Sequence, residues 1–163
     1  MKRIGLLSDT HAFLDDKVFQ YFAECDEIWH AGDIGSVEVA DRLAEFKPLT
    51  AVFGNIDGHI VRTMYPKFRR FMCEEVDVLL THIGGYPGKY AYEVMEFMMK
   101  NPPKLFICGH SHILKVQYDH KLQLLHINPG AAGKSGMQQV RTFVRFTIDG
   151  KDIRDLEIIE RPL

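Results

Sequence analysis

Seven residues of types that bind metal ions occur in five short clusters along the chain. In order they are Ser8-Asp9-Thr10-His11, Gly32-Asp33, Gly54-Asn55, Thr81-His82 and Gly109-His110-Ser111-His112. Each cluster follows an apolar run and includes or adjoins a small residue that lets the backbone turn. Imidazoles, two carboxylates and one amide suit borderline divalent ions, manganese foremost, with iron, zinc or nickel able to use the same donors. No thiolate is among them, which argues against a closed structural zinc site. A carboxylate shared between two ions holds them roughly 3.5–4 Å apart, a spacing suited to in-line attack on phosphorus. Taken singly, Asp9 or Asp33 reads as a turn or cap residue, His82 as an ordinary polar residue, and Gly54-Asn55 as a turn. The joint order and the placement after apolar runs carry the reading of a two-metal site.

The elements that must position these residues follow from the hydrophobic pattern. Residues 2–8 read as a strand buried on both faces, and residues 15–24 as a helix with Leu14, Val18, Tyr21 and Phe22 on one side. A second strand at 27–30, a helix capped by Ser36 and running to Phe46, and a third strand at 50–53 complete a βαβαβ opening. Such an opening implies parallel strands with right-handed crossovers. Residues 68–73 and 76–81 read as a hairpin around Glu74-Glu75. Pro87-Gly88 opens a helix with Ala91, Val94, Met95 and Met98 on one side, and Asn101-Pro102-Pro103 stops it. After a buried strand at 105–108, the segments 114–118, 122–127, 140–148 and 153–159 read as a β-meander. In open α/β sheets, sites gather outside the carboxyl ends of the strands, which is where all seven residues fall.

With 163 residues, one domain spanning residues 1–163 is expected. A net charge of −2 gives no basic footprint for nucleic acid. Neither a signal peptide nor an apolar run of membrane-spanning length is evident, and Cys25, Cys73 and Cys108 form no CxxC pair, so a reducing cytoplasm is the expected location. The three thiols read as buried small apolar residues.

The ordered clusters resemble the calcineurin-like metallophosphoesterase superfamily, in its small, compact phosphodiesterase branch. The superfamily pattern is D-x-H, G-D, G-N, H and G-H-x-H, matched here from Asp9 to His112. Asn128-Pro129-Gly130 is similar to the branch's closing turn. The resemblance implies a four-layer α/β/β/α sandwich of two mixed β-sheets flanked by helices. It implies two divalent metal ions, the first held by Asp9, His11, Asp33 and His112, the second by Asn55, His82 and His110, with Asp33 bridging. It further implies hydrolysis of a small-molecule phosphodiester by a hydroxide activated between the ions, with Asn55 touching the phosphate. The superfamily also includes a member that serves chiefly in protein assembly and has altered ligand positions, so a protein-binding scaffold is the alternative.

Two positions depart from the pattern. Many relatives place a leaving-group histidine after the Gly-Asn, and this chain has Ile56 there, with Asp57 and His59 as nearby acids. Relatives often continue the fourth cluster as His-Gly, whereas His82 is followed by Ile83-Gly84-Gly85. His30, just before the Asp33 loop, is a candidate to hold a metal ligand by hydrogen bond, while His120 and His126 read as surface or sheet residues. Residues 86–92 read as either a substrate mouth or a helix-capping loop, and Lys67, Arg69 and Arg70 as a solvated basic edge in preference to a phosphate clamp. A homodimer is the commonest assembly for a soluble chain of this kind.

Overall fold

The computed structural model describes all residues, 1–163. Two five-stranded sheets form the centre. The first has the order β12-β11-β1-β2-β3 and the second β4-β5-β8-β10-β9. The first sheet contains β1 (Lys2–Leu7), β2 (Glu27–His30), β3 (Leu49–Ala51), β11 (Val140–Asp149) and β12 (Asp152–Pro162). The second contains β4 (Phe68–Cys73), β5 (Val76–Thr81), β8 (Leu105–Ile107), β9 (Leu114–Asp119) and β10 (Leu124–Pro129). Within the first sheet β1, β2 and β3 run parallel, as the βαβαβ pattern requires, and in the second β5, β8 and β10 do.

Three buried clusters show why the chain stacks in four layers. The inner faces of the two sheets meet through Ile4, Leu6 and Trp29 from one side and Val78, Leu80, Leu105 and Ile127 from the other. The outer face of the first sheet, with Leu7, Ile28 and Phe143, is covered by the N-terminal helices. These are α1 (Val18–Tyr21), α2 (Val37–Phe46) and α3 (His59–Met64), which contribute Val18, Val39, Ala40, Leu43 and Val61. The outer face of the second sheet, with Leu79, Phe106 and Leu124, packs on Val94 and Met98 at α4 (Met95–Lys100). Strand residues alternate between these clusters: Leu105 and Ile107 point inward and Phe106 outward, so each sheet is apolar on both faces. The expected α/β/β/α sandwich is the observed fold.

Three local expectations are corrected. The last four strands are not one meander. β9–β10 forms a hairpin in the second sheet, while β11–β12 crosses to the first, where β11 pairs antiparallel with β1. The alternation of apolar residues specifies strands but not which sheet receives them. The first helix is shorter than expected because one Asp15 carboxylate oxygen accepts the Lys17 N–H, holding the preceding residues in a turn. Pro87-Gly88 does not open a helix. It turns a two-residue hairpin between β6 (Gly85–Tyr86) and β7 (Lys89–Tyr90), with Gly88 at φ 90°, and a 3₁₀ turn at Tyr92–Val94 leads into α4. The short helix α3 was not expected.

Candidate metal centre

All seven predicted residues lie just beyond the carboxyl ends of parallel strands and come together. Asp9 and His11 follow β1, Asp33 follows β2, Asn55 follows β3, His82 follows β5, and His110 and His112 follow β8. The loops are fastened to one another through the backbone. Asp9 N–H donates to the Gly32 carbonyl at 2.9 Å, His11 N–H to the Asp33 carbonyl at 3.0 Å, and Gly109 N–H to the His82 carbonyl at 2.9 Å. Asn128 donates its side-chain amide to the Gly109 carbonyl and to Ser111 Oγ, both at 3.0 Å, which gives the Asn-Pro-Gly turn a role in shaping the last loop.

Each carboxylate is held by one oxygen and presents the other. Asp9 Oδ2 accepts from Ser8 Oγ at 2.6 Å and from His110 N–H at 3.1 Å. Its Oδ1 faces His112 Nε2 at 3.1 Å, His11 Nε2 at 3.7 Å and His82 Nε2 at 3.8 Å. Asp33 Oδ1 accepts from Ile56 N–H at 3.0 Å, and its Oδ2 lies 3.3 Å from His11 Nε2 and 3.2 Å from His82 Nε2. Two groups of donors result, Asp9–His11–His112 and Asp33–His82–His110, and each is tight enough to take a cation. Asn55 joins the second, its Oδ1 lying 3.0 Å from His110 Nδ1.

The donor set fits a pair of ions. Asp9 Oδ1, His11 Nε2 and His82 Nε2 are buried and lack hydrogen-bond partners, although buried polar atoms are almost always satisfied. His82 Nδ1 donates to the Ala31 carbonyl at 2.7 Å, which leaves Nε2, facing Asp33, as the nitrogen available to a cation. The backbone is also held in a costly shape. Asp9, His11, Asp33, His110 and His112 all have φ between 48° and 72°. The left-handed region costs a non-glycine residue about 1–3 kcal/mol, and its concentration here marks a site built for something other than stability.

The electrostatics agree with tight carboxylate–imidazole coupling. Burial pushes the Asp9 carboxyl up, but His112, His82 and Ser8 together hold it below the ordinary value. Asp33 is likewise pushed up by burial and brought below normal, chiefly by His82. Contact with Asp9 raises His112 to about 9, burial notwithstanding. Burial lowers His110.

Of the remaining histidines, His30 hydrogen-bonds to none of the predicted ligands and instead braces the loops that carry them. It is fully buried, and burial lowers its pKa to about 4, so it is neutral. Gly32 N–H donates to Nδ1 at 3.1 Å, which leaves Nε2–H to donate to Thr10 Oγ1 at 3.0 Å; Thr10 in turn donates to the Ile34 carbonyl at 2.7 Å. This chain ties the Asp9 loop to the Asp33 loop. His126 lies in β10 but is completely buried with neither ring nitrogen partnered, so it is not a surface residue. Asp57, considered as an acid, is 3% exposed and accepts from three backbone N–H groups, those of Ile34, Gly35 and Gly54. A carboxylate so engaged shapes the Asn55 loop and has no free oxygen edge for a leaving group. His59 is exposed at the start of α3. All three cysteines are buried and free, and burial pushes Cys25 and Cys73 up to about 11 and Cys108 to about 12, the expected inert thiols. No helix is long and apolar enough to cross a membrane.

One residue escaped sequence reasoning. Gln138 Oε1 contacts His112 Nδ1, and nothing near Gln138 in the sequence connects it with a residue 26 positions earlier.

Known proteins place this geometry in context. A family model described as the calcineurin-like phosphoesterase superfamily domain matches residues 1–151. A probable metallophosphoesterase of Methanothermobacter thermautotrophicus is 30% identical over 162 residues, covering 96% of this chain and 91% of that protein. Among solved structures, an archaeal phosphodiesterase superposes with a TM-score of 0.76 at 21% identity, covering 96% of this chain and 99% of the other. Vps29 of Entamoeba histolytica in complex with zinc gives 0.72 at 15% identity, covering 98% of each chain. With the family model spanning nearly the whole chain, the protein belongs to the calcineurin-like phosphoesterase superfamily.

Proposed function

We propose that the chain is a two-metal phosphodiesterase acting on small phosphodiesters, with manganese as the first choice of ion and a reducing, cytoplasmic setting in keeping with its three free thiols. Asp9, His11, Asp33 and His112 would hold one ion, and Asp33, Asn55, His82 and His110 the other. The observation that carries this reading is Asp33 Oδ2, placed 3.3 Å from His11 Nε2 and 3.2 Å from His82 Nε2, one oxygen shared by the two donor groups. Divalent ions so held supply Lewis acidity toward phosphoryl oxygens and lower the pKa of the attacking water. The residues supply the rest. Asp9 and Asp33 are kept ionised by their histidine neighbours, and the Asn55 amide stands beside the second group, where charge develops on the phosphoryl oxygens. Ile56 offers no proton to the departing alcohol, and Asp57 is committed to backbone amides, so substrates with good leaving groups are favoured.

A second reading, a protein-binding scaffold, draws on a groove of about 620 Å³ beside α4, lined by Met95, Met98, Met99, Tyr118 and Leu122. Likeness to Vps29 is a likeness of fold, and the intact donor set favours the enzyme. Metal-stripped protein assayed on an aryl phosphodiester and the matching monoester, with and without Mn²⁺, decides between them. Metal-dependent turnover favouring the diester is expected. Preference for the monoester overturns the substrate class, and no turnover with two ions bound favours the scaffold.

A further inference from the structure

Arg62 is unusual among the nine arginines of the chain. Seven of the others have a carboxylate within 4.0 Å, and Arg62 shares with Arg69 the lack of one. Its guanidinium is nevertheless fixed. Nε donates to the Asp57 carbonyl at 2.6 Å, Nη2 donates to the Asn55 carbonyl at 3.2 Å, and the group stacks 4.6 Å from the centre of the Phe53 ring. Neither hydrogen bond uses Nη1. The result is an uncompensated positive charge, anchored to the loop that carries Asn55.

That charge lines a cavity of about 170 Å³ together with Phe53, Asn55, Lys67, His82 and Ile83. The cavity is lined by two members of the second donor group, Asn55 and His82, and by none of the first. A phosphoryl group held between the donor groups would have this cavity beside it, within reach of a group carried on one of its ester substituents. Lys67 pairs with Glu93 at 2.6 Å, but both side chains are about half exposed (47% and 52%). An ion pair that open to solvent contributes little and yields easily to a better anion.

We propose that Arg62 and Lys67 form a cationic subsite that receives a second phosphate, carried on one ester substituent of the diester. The proposal rests on the phosphodiesterase reading and narrows its substrate class to diesters with a further phosphate near the scissile one. A planar guanidinium with a free edge, backed by an ammonium, is the donor arrangement that recognises a phosphate. Its contribution is electrostatic and so falls as salt rises.

The test compares thymidine 5′-(p-nitrophenyl phosphate) with the same ester bearing a 3′-phosphate, using Mn²⁺-loaded protein. The wild type should prefer the 3′-phosphorylated ester at least tenfold in kcat/KM, less so at high salt. The preference should fall toward one in Lys67→Gln and in Arg62→Gln and persist in Arg69→Gln. Because Arg62 also ties the Asn55 loop, Lys67→Gln is the cleaner variant, and the ratio of two substrates cancels changes common to both. A wild-type ratio near one, or a ratio undiminished in both variants, overturns the proposal. If the wild type hydrolyses neither ester, the phosphodiesterase reading fails, and calorimetry on metal-free protein still decides the subsite. Thymidine 3′,5′-bisphosphate binding at least tenfold more tightly than the 5′-monophosphate, with the difference lost in Lys67→Gln, supports the subsite; equal affinities overturn it.

Discussion

His112 Nδ1 donates to Gln138 Oε1 at 2.9 Å, and the glutamine has no freedom to turn its oxygen elsewhere. Its amide nitrogen donates to the carbonyls of Gly133 and Ser135, at 3.2 and 2.6 Å. The glutamine thereby keeps a proton on Nδ1 and turns Nε2 toward Asp9, so that Nε2 is the nitrogen a metal ion would take in place of its proton. Replacing Gln138 with Ala frees the ring and removes the acceptor that sets its tautomer. Loss of such a partner typically weakens metal binding about 10–100-fold. Titration against a competing chelator should show that loss at one of two sites, and wild-type affinity at both would deny Gln138 the role.

Asp57 separates a structural role from a catalytic one. Its carboxylate accepts from Ile34, Gly35 and Gly54 N–H groups at 3.1, 2.8 and 2.8 Å. An amide in its place turns a donor toward those donors. Asp57→Asn should cost about 2–3 kcal/mol, read as a lower urea midpoint at unchanged slope. The pH at which diester hydrolysis declines on the alkaline side should stay where it is in the wild type. A shift or loss of that limb would return Asp57 to the role of general acid.

His126 makes stability depend on acid. Burial drops its pKa to about 4 from the 6.5 of an exposed histidine, so the fold opposes its protonation. Its contribution is intact above pH 6.5 and is lost as the pH falls toward 4, reaching about 3 kcal/mol. His126→Leu should therefore lose less stability than the wild type between these values in denaturant titrations. Identical pH dependence in the two proteins would place the acid sensitivity elsewhere.

The sequence made the site legible because its residues come immediately after parallel strands. An apolar run ending in Asp-Thr-His or Gly-Asp announces both the strand and the turn where a donor can stand. The layers were legible for the same reason, since residues such as Leu105, Phe106 and Ile107 are apolar on both faces. Less local features were hidden. β11 pairs with β1, at the other end of the chain, and apolar alternation does not encode a partner. Gln138 reaches His112 only because the chain crosses between sheets after β10. Arg62 sits on a six-residue helix too short to leave a clear periodic signal. The hairpin at Pro87-Gly88 was misread because proline and glycine punctuate a helix start and a tight turn alike.

Asp33 Oδ2, within 3.3 Å of a histidine from each donor group, would serve both ions at once. Metal content and diester hydrolysis of Asp33→Ala, measured beside the wild type after loading with Mn²⁺, test it most directly. Two ions per chain are expected in the wild type, with substoichiometric metal and a loss of at least a thousandfold in turnover in the variant. A variant that retains two ions, or hydrolyses the diester at a comparable rate, would contradict the bridging role and with it the two-metal account.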